Sequence, residues 1–394
     1  MKKSITILGL NSGTSADGLD LAALQFAPGR SGAVISFLAG HSVKYPGEIK
    51  SAIERVIQAK QAGVDDMVYL DAMLGKFYGR SASQFIRTLN RKRITVDAVA
   101  SHGQTVRHLP HPVRRGSYRL RGTLQLGSLD QIAFETKKIT VGNFRQADIA
   151  CGHEGAPITV AAMARLFADN RESRLIVNVG GMANFFYFPS KRSGRRILAA
   201  DTGPGNSLSD LLMHKLYHKP YDRGGKIAAS GTVSKRLLTT LLAHPFFTGH
   251  SVSTGREQFG SALVERIVRS GRHLDLSNAD ILATAVELTA LGIVRTATIL
   301  SRRDHTLTKL YLTGGGVHNH YIVRRLDELL PNLKIDSVAT LGFDPDLVEA
   351  SAYAVMGYAC LRSEPLPTDF RPGSHQNIQP ILGHIAQPPV EMKR

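Results

Sequence analysis

The hydrophobic positions of the first half fall into short runs that alternate with segments of helical periodicity. Short apolar runs predict strands at 5–10, 19–26, 34–38, 98–100, 124–126 and 139–141. Apolar residues at helical spacing predict helices at 46–62, 66–89 and 128–136. The first two strands flank a short turn rich in glycine and hydroxyl groups, so they predict a β-hairpin.

The second half repeats this order. Apolar runs predict strands at 175–179, 184–188, 197–200 and 309–312, and helical spacing predicts long helices near 234–242, 279–300, 319–330 and 347–361. Strands that alternate with helices indicate an α/β fold, here with two halves that each open on a strand–turn–strand carrying glycine.

These patterns divide the chain into two predicted domains. The first comprises residues 1–145, with a proline-rich tail at 364–394 packed on it, and the second comprises residues 146–363. Because α/β proteins place ligands at the ends of their strands, we predict the functional site in a cleft between the two domains.

Composition indicates a soluble globular protein of a reducing compartment. Hydrophobic residues make up 43% of the 394 positions, and no apolar run approaches the roughly 20 residues that span a bilayer. The apolar stretch after Met1 is interrupted by Asn11 and Asp17, which disfavours a secretory signal. The two cysteines, Cys151 and Cys360, are far apart, which excludes a disulfide framework. We therefore predict a cytoplasmic protein without a membrane partner.

The formal net charge is +17, a value that can indicate nucleic-acid binding. The basic residues are dispersed in short runs such as 91–93, 114–115 and 302–303, without interleaved aromatic residues. We therefore predict a solvated basic surface and no nucleic-acid partner. A negatively charged substrate or nucleotide would be attracted by the same field.

Four glycine-containing turns follow predicted strands and are candidates for chemistry. Residues 12–18, SGTSADG, combine backbone N–H groups with hydroxyls in a pattern suited to phosphate, and Asp17 could bind the accompanying metal. Gly180-Gly181 and residues 314–316 would let a phosphate or a flat ligand approach the backbone. Asp201 precedes a rigid Gly-Pro-Gly turn and could act as a general base. Each turn alone could equally be structural.

Other polar residues are weaker candidates. Arg145 and Asp148 share one loop and suggest a polar pocket, although a surface ion pair would give the same pattern. Glu349 lies in an apolar helix, where a carboxylate needs a partner or a cleft. His102 is predicted to be a hydrogen-bonded structural histidine, and His318 with His320 lacks a third zinc ligand.

Seven segments occur in a fixed order: SGTSADG, SHGQTVRH, NFRQADIACGHEGAPI, NVGGMAN, DTGPGN, STGREQF and TGGGVHN. This series resembles the anhydro-N-acetylmuramic acid kinases and the related fungal levoglucosan kinases, from about residue 5 to about residue 382. The resemblance implies the actin-like, sugar-kinase type of ATPase fold, with two ribonuclease-H-like domains around a nucleotide cleft. It also implies a homodimer.

The resemblance further implies a set of site residues. Nucleotide binding is implied for Gly13, Thr14, Ser15, Ala16, Asp17, Gly18, Leu19, Asp20, Gly180, Gly181, Gly314, Gly315, Gly316 and Asn319. Asp201 matches the catalytic aspartate. Ser12, Arg145, Asp148 and Glu349 match positions of the substrate pocket, and Asp17 and Glu349 would lie near Mg²⁺.

The implied reaction consumes ATP and a 1,6-anhydro sugar. Water opens the anhydro bridge at the anomeric carbon and O6 takes the γ-phosphate, giving ADP and a sugar 6-phosphate. Two departures bear on the substrate: the family commonly has GGQGAP where residues 152–157 read GHEGAP, and Met where Asn11 stands. Asn11 resembles the levoglucosan enzymes, so a levoglucosan or other sugar kinase is the alternative. A nucleotide-binding regulatory protein without catalysis is the alternative of another class.

Overall fold

The computed structural model describes residues 4–13, 16–29, 32–58, 62–249, 258–368, 370 and 379–390. The chain forms two compact units: unit 1 comprises Met1–Leu166 and Leu347–Arg394, and unit 2 comprises Phe167–Asp346. Most of the STGREQF segment, residues 253–257, lies outside the described residues.

Strands and helices alternate along the described chain, as the hydrophobic pattern predicts. The strands are β1 Ile5–Ser12, β2 Gly18–Gly29, β3 Gly32–Lys44, β4 Ala98–Arg115, β5 Tyr118–Leu126, β6 Ile139–Gly142, β7 Ser173–Val179, β8 Met182–Phe188, β9 Leu198–Pro204, β10 Leu307–Thr313, β11 Lys334–Ser337 and β12 His384–Ala386. The helices are α1 Gly47–Gln58, α2 Val64–Arg91, α3 Leu129–Thr136, α4 Phe144–Ala150, α5 Val160–Phe167, α6 Asn206–Tyr217, α7 Lys226–Ser230, α8 Lys235–Leu242, α9 Pro245–Thr248, α10 Ser261–His273, α11 Asn278–Arg303, α12 His320–Leu329 and α13 Val348–Leu361. Short 3-10 helices lie at Arg223–Gly225, Gly315–His318 and Val338–Leu341.

The two units share one strand order. In unit 1, β1, β2 and β3 form an antiparallel meander, β1 is parallel to β4, and β4 is parallel to β6. In unit 2, β7, β8 and β9 form the meander, β7 is parallel to β10, and β10 is parallel to β11. This order is that of a ribonuclease-H-like domain, so the predicted α/β fold class with two such domains is confirmed.

Helix α13 explains why the units are divided differently from the predicted domains. Residues 146–166 and 347–363 belong to unit 1, although the sequence analysis assigned them to the second domain. Helix α13 packs on β1, β2 and β4, and a side chain at Gly9 would overlap the Ala350 carbonyl oxygen. Backbone contact this close requires glycine in the strand and small residues in the helix. The return of the chain to unit 1 is thus a packing feature that strand and helix periodicity does not reveal.

Two other segments differ from the sequence prediction. The predicted short strands at 98–100 and 124–126 belong to β4 and β5, which continue as a long antiparallel hairpin up to the Arg115–Tyr118 pair. Pro110, Pro112 and several arginines in this region read as a loop, and the hairpin has no buried apolar pattern at its outer end. Within the predicted extended tail, β12 pairs with β6.

Helix α11 forms the centre of the unit 2 core. It is long and apolar enough to cross a membrane, but 72% of its most apolar window is buried within the protein. Its side chains pack with residues of β7, β8 and α6 in one hydrophobic cluster. Burial on most of its circumference is therefore explained by its place in the core.

The end of α11 is fixed by a buried carboxylate. Asp304 accepts hydrogen bonds from Ser173 Oγ (2.6 Å), from Thr306 Oγ1 (2.7 Å) and from the Tyr187 hydroxyl. Burial alone would raise the pKa of Asp304, but these hydrogen bonds outweigh it and lower the pKa to about 2. The charged carboxylate thus ties the start of β7 to the segment before β10.

We predict that Asp304→Asn lowers the free energy of unfolding by about 2 kcal/mol at neutral pH. The pKa of Asp304 is about 2 in the folded state and about 3.9 in the unfolded state. The stabilisation is therefore complete above about pH 4 and is lost as the pH falls from about 4 to about 2. Urea unfolding followed by circular dichroism at several pH values measures both effects. Asp327→Asn, which removes an exposed carboxylate from the same unit, is the control. An equal loss in both variants would contradict the prediction.

Candidate functional site

In unit 1, hydrogen bonds fix the turn between β1 and β2. Ser12 Oγ donates to Gln104 Oε1 (2.5 Å) and accepts from the Tyr45 hydroxyl (2.6 Å). The Gly13 carbonyl accepts from the Ala16 N–H (3.1 Å) and from Gln104 Nε2 (3.3 Å). Ser12 and Gly13 are therefore held at the carboxyl end of β1, the edge of the sheet where α/β proteins bind ligands.

The rest of the predicted phosphate loop is of mixed character. Thr14 and Ser15 lie outside the described residues, and their role stays a prediction. Gly18 begins β2 so close to β3 that a side chain would overlap the Val43 carbonyl oxygen. Leu19 is 1% exposed and its side chain lies in the core, so only its backbone can meet a ligand.

The two acidic residues of this loop have different surroundings. Asp17 is exposed and lies 3.3 Å from Lys50 Nζ. Asp20 is half-buried, and its Oδ1 accepts a hydrogen bond from Ser42 (2.6 Å). Asp20 is thus the more firmly positioned carboxylate of the pair.

Arg145 is held in place by a neutral histidine. Its Nε donates to His102 Nε2 (3.0 Å) and its Nη1 donates to the Gly155 carbonyl (2.7 Å). Burial, together with the charge of Arg145, lowers the pKa of His102 well below its usual range. A neutral ring is what this geometry requires, because Nε2 must accept. The ring also stacks on Tyr353 at a centroid distance of 4.6 Å, so the prediction of a hydrogen-bonded structural histidine agrees with these contacts.

Asp148 holds the loop that follows α4. It is 2% exposed, its Oδ2 accepts from the Gly155 N–H (2.7 Å), and its Oδ1 lies 2.8 Å from His153 Nδ1. Thr368 Oγ1 also lies 3.2 Å from that nitrogen. Both carboxylate oxygens are occupied within the loop, so Asp148 holds the shape of the loop more than it offers an oxygen to a ligand.

Glu349 is anchored from the strand opposite. Its Oε2 accepts a hydrogen bond from Asn11 Nδ2 (2.8 Å), which provides the partner that a carboxylate in an apolar helix needs. Although the residue keeps solvent-accessible surface, the protein around it desolvates the carboxylate and raises its pKa, and the charge of Asp20 adds to this. The Asn11 hydrogen bond and the charge of Arg145 oppose the shift.

Sequence reasoning gave no binding role to four of these residues. Asn11, Tyr45, His102 and Gln104 each bond directly to a predicted site residue. The available signal was the position of SHGQT directly after the predicted strand 98–100, the part of β4 that is parallel to β1. Parallel strands end at one edge, so their polar ends meet.

In unit 2, the Gly180-Gly181 turn is docked on the start of α6. The Gly180 carbonyl accepts from the Asn206 N–H (2.8 Å), and the Gly181 carbonyl accepts from the N–H groups of Gly205 (3.0 Å) and Ser207 (3.1 Å). These donors at the helix start have no partner within the helix. The turn therefore satisfies them and takes its shape from them.

The turn at residues 314–316 packs against the end of β7, just before the Gly180-Gly181 turn. Gly314 has a φ of +77°, and a side chain there would overlap Asn178 Oδ1. A side chain at Gly316 would overlap that of Val179. Gly315 and Gly181 are exposed, so these two glycines present the surface that a ligand could reach.

Asp201 lies beside these turns in a polar row. In the register of β7, β8 and β9, Asn178 is opposite Asn184, and Asn184 is opposite Asp201. Residues directly opposite each other project from one face of a sheet. The row thus runs from Asp201 to Asn178, which contacts the Gly314 turn.

Asn319 acts as a helix cap. Its Oδ1 accepts from the N–H groups of Tyr321 (3.1 Å) and Ile322 (3.2 Å) at the start of α12, and it is 8% exposed. This is a frequent role of asparagine. The predicted nucleotide contact of Asn319 stays a prediction.

The described residues contain no group of three or more His, Cys, Asp or Glu that could hold a metal ion. Mg²⁺ does not require one, because it binds through one or two carboxylates together with substrate phosphates and water. Glu349 and Asp20 fit this need, because each lies in the field of the other's charge. Asp17 fits it less well, because it is already paired with Lys50.

The model of one protein family, described as anhydro-N-acetylmuramic acid kinase, matches residues 5–387. The chain therefore belongs to the anhydro-N-acetylmuramic acid kinase family. Two relatives of that description are 36% identical over 348 residues, in Shewanella pealeana, and 35% identical over 353 residues, in Shewanella baltica. These alignments cover 88% and 89% of this chain and 89% and 91% of the relatives.

Membership of the anhydro-N-acetylmuramic acid kinase family confirms the resemblance inferred from the seven segments. It places the chain among the ATP-dependent carbohydrate kinases. Among solved structures, the activator of the 2-hydroxyisocaproyl-CoA dehydratase from Clostridium difficile with bound ADPNP aligns at a TM-score of 0.42 with 14% identity, over 91% of this chain and 96% of that one.

We predict that glycine is required at position 205 for folding but not at position 181. A side chain at Gly205 would overlap the Gly180 carbonyl oxygen, whereas a Cβ atom added at Gly181 would lie 3.8 Å from its nearest neighbour, Ser207 Cβ. Gly205→Ala should therefore cost about 2 kcal/mol or more, and Gly181→Ala about 0.5 kcal/mol or less. Chemical denaturation of both variants measures this. Equal stability of the two variants would contradict the interlocked arrangement of the turns.

Proposed function

We propose that the protein phosphorylates 1,6-anhydro-N-acetylmuramic acid at O6 and opens its anhydro bridge in the same reaction. Water adds to C1 while the C1–O6 bond breaks, O6 attacks the γ-phosphorus of ATP, and ADP leaves. One sugar, one ATP and one water thus give the sugar 6-phosphate, ADP and a proton. The observation that carries this proposal is the family match over residues 5–387.

Asp201 is the proposed general base in unit 2. A base must be held within hydrogen-bond reach of the proton that it takes. The register fixes Asp201 at the end of a polar row beside two glycine turns, which supports a role next to the reacting phosphate. It would take the proton of the attacking water.

The glycine turns are the proposed nucleotide contacts. Gly181 and Gly315 are exposed while their neighbours are locked, so phosphate oxygens could approach these backbones closely. Gly180, Gly314 and Gly316 would maintain the shape of these turns. Gly13 and its neighbours in unit 1 are the second proposed phosphate contact.

Unit 1 supplies the proposed sugar contacts. Arg145 is held by His102 and the Gly155 carbonyl, and its fork is suited to a carboxylate such as the lactyl group of the muramic sugar. Ser12 and Glu349 would contact sugar hydroxyls. Mg²⁺ would be held by Glu349 with Asp20 and would neutralise charge on the phosphates.

A levoglucosan kinase is the competing proposal within the enzyme class. Asn11 resembles the levoglucosan enzymes, and here it holds Glu349. Glu154 adds a carboxylate to the pocket loop that would repel the lactyl group. We further propose that the protein acts as a cytoplasmic homodimer in the recycling of cell-wall sugars.

We expect a panel of three sugars to decide the substrate. With ATP and Mg²⁺, the anhydro-muramic sugar should give ADP and a 6-phosphate, with oxygen from labelled water at C1. N-acetylmuramic acid tests simple phosphorylation, and levoglucosan tests the competing proposal. Faster turnover of levoglucosan would transfer the assignment to that sugar. If none of the three sugars supports ADP formation, a regulatory role would be favoured.

We predict that Asp201→Asn lowers turnover by at least about a hundredfold, the usual contribution of a general base. Binding of ATP should stay within a few-fold of the parent, because the glycine turns are unchanged. Turnover is measured by coupled ADP release and binding by calorimetry, with Asp327→Asn as the control for removing a carboxylate. Near-normal turnover would remove Asp201 from the role of base.

A further inference from the structure

None of the proposed site residues lies in the outer part of the β4–β5 hairpin, which forms an arm. We call residues 107–124 the basic arm. Strand β1 pairs with β4 only as far as Gln104, and β6 only as far as Ala100. Beyond these points the two strands of the arm pair with each other, up to the Arg115–Tyr118 pair at the tip. A two-stranded hairpin has little stability of its own and two open edges.

The arm carries a concentrated positive charge. It contains Arg107, Arg114, Arg115, Arg119 and Arg121, and residues 98–129 contain neither aspartate nor glutamate. None of these arginines takes part in the ion pairs found between described residues. Arg114 and Arg119 are directly opposite each other, an arrangement of like charges that destabilises a strand pair. An anion between them would remove that repulsion.

The same arm has an exposed apolar face. Its members are Leu109 (41% exposed), Val113 (42%), Tyr118 (69%), Leu120 (62%) and Leu124 (37%). Tyr118, Leu120 and Leu124 alternate along β5, and Val113 lies opposite Leu120, so they share one face. Contiguous apolar surface of this kind on a soluble protein indicates an interaction site.

The combination of charge and apolar surface selects the partner. Pairing of the arm with the arm of a second copy is disfavoured, because two arms would bring ten arginines together without a carboxylate. A nucleic acid would use the arginines but would leave the aliphatic face without a match. An anionic lipid surface uses both, since phosphates meet the arginines while tyrosine and aliphatic side chains enter the interface.

We propose that the basic arm is a reversible anchor for anionic membrane surfaces. The tip enters the headgroup region with Val113, Tyr118 and Leu120 on one face and the Arg114–Arg119 pair on the other. Lipid phosphates around the inserted tip then bind Arg114, Arg115 and Arg119. This contact is peripheral and requires no spanning helix, but it would revise the sequence-based prediction of a protein without a membrane partner. It is independent of the sugar that the site accepts.

The absence of tryptophan from the sequence provides a direct test. Tyr118→Trp places a single tryptophan at the tip. We expect its emission to shift to the blue with vesicles of equimolar phosphatidylglycerol and phosphatidylcholine, and not with phosphatidylcholine alone. Binding should weaken as salt rises, because exposed charges are screened beyond about 8 Å at physiological ionic strength.

Matched variants distinguish specific insertion of the arm from general electrostatic attraction between a basic protein and anionic vesicles. Val113→Thr with Leu120→Asn keeps the charge and nearly the shape, and should weaken vesicle co-sedimentation at least tenfold. Arg114→Gln with Arg119→Gln should do the same, whereas Arg266→Gln with Arg269→Gln, which removes equal charge from exposed positions of α10, should change it less than twofold. Thermal unfolding midpoints check that each variant folds.

Three outcomes would overturn the proposal. The first is the absence of both an emission shift and co-sedimentation at low salt. The second is an equal loss of vesicle binding in the α10 double variant and the arginine double variant of the arm. The third is unchanged vesicle binding of the apolar double variant. Tighter binding to a DNA duplex than to the vesicles would instead assign the arm to nucleic acid.

Discussion

The site geometry of unit 2 depends on close packing of backbone against backbone. The carbonyls of Gly180 and Gly181 are bonded to the start of α6, and neither Gly205 nor Gly314 has room for a side chain. Each turn therefore sets the shape of its neighbour. The turns at Gly180, Gly205 and Gly314 follow three strands of one sheet. The polar row that ends at Asp201 therefore has a fixed place beside these turns. Turns held in this way need little reorganisation to bind a charged ligand.

Unit 1 reaches a similar order by other means. Its polar residues are held by side-chain hydrogen bonds, from Asn11 to Glu349 and from Arg145 to His102. Buried polar groups are costly unless they are paired, so these hydrogen bonds stabilise the positions of Glu349 and Arg145. The loop around Asp148 is also held by side-chain contacts, because both carboxylate oxygens of Asp148 contact residues of the loop itself.

The sequence predicted the fold class and the location of the turns because both follow from local patterns. Apolar runs ending in glycine mark strand ends, and parallel strands bring those ends together. Other features depend on distant residues. The pairing of Asn11 with Glu349 joins positions 338 residues apart, and the return of α13 to unit 1 depends on its fit against Gly9. The outer half of the β4–β5 hairpin escaped prediction because Pro110, Pro112 and the arginines indicated a loop, although Tyr118 and Leu120 alternate with arginines there.

The position of α13 after unit 2 has a consequence for synthesis. Unit 1 needs this helix to cover β1, β2 and β4, yet the ribosome makes it only after residue 346. Unit 2, although it comes later in the chain than β1, is the first unit whose residues are all available to fold. Until α13 emerges from the ribosome, the apolar face of the unit 1 sheet lacks its cover. Nascent chains stalled in unit 2 should therefore be clients of chaperones that bind exposed strands.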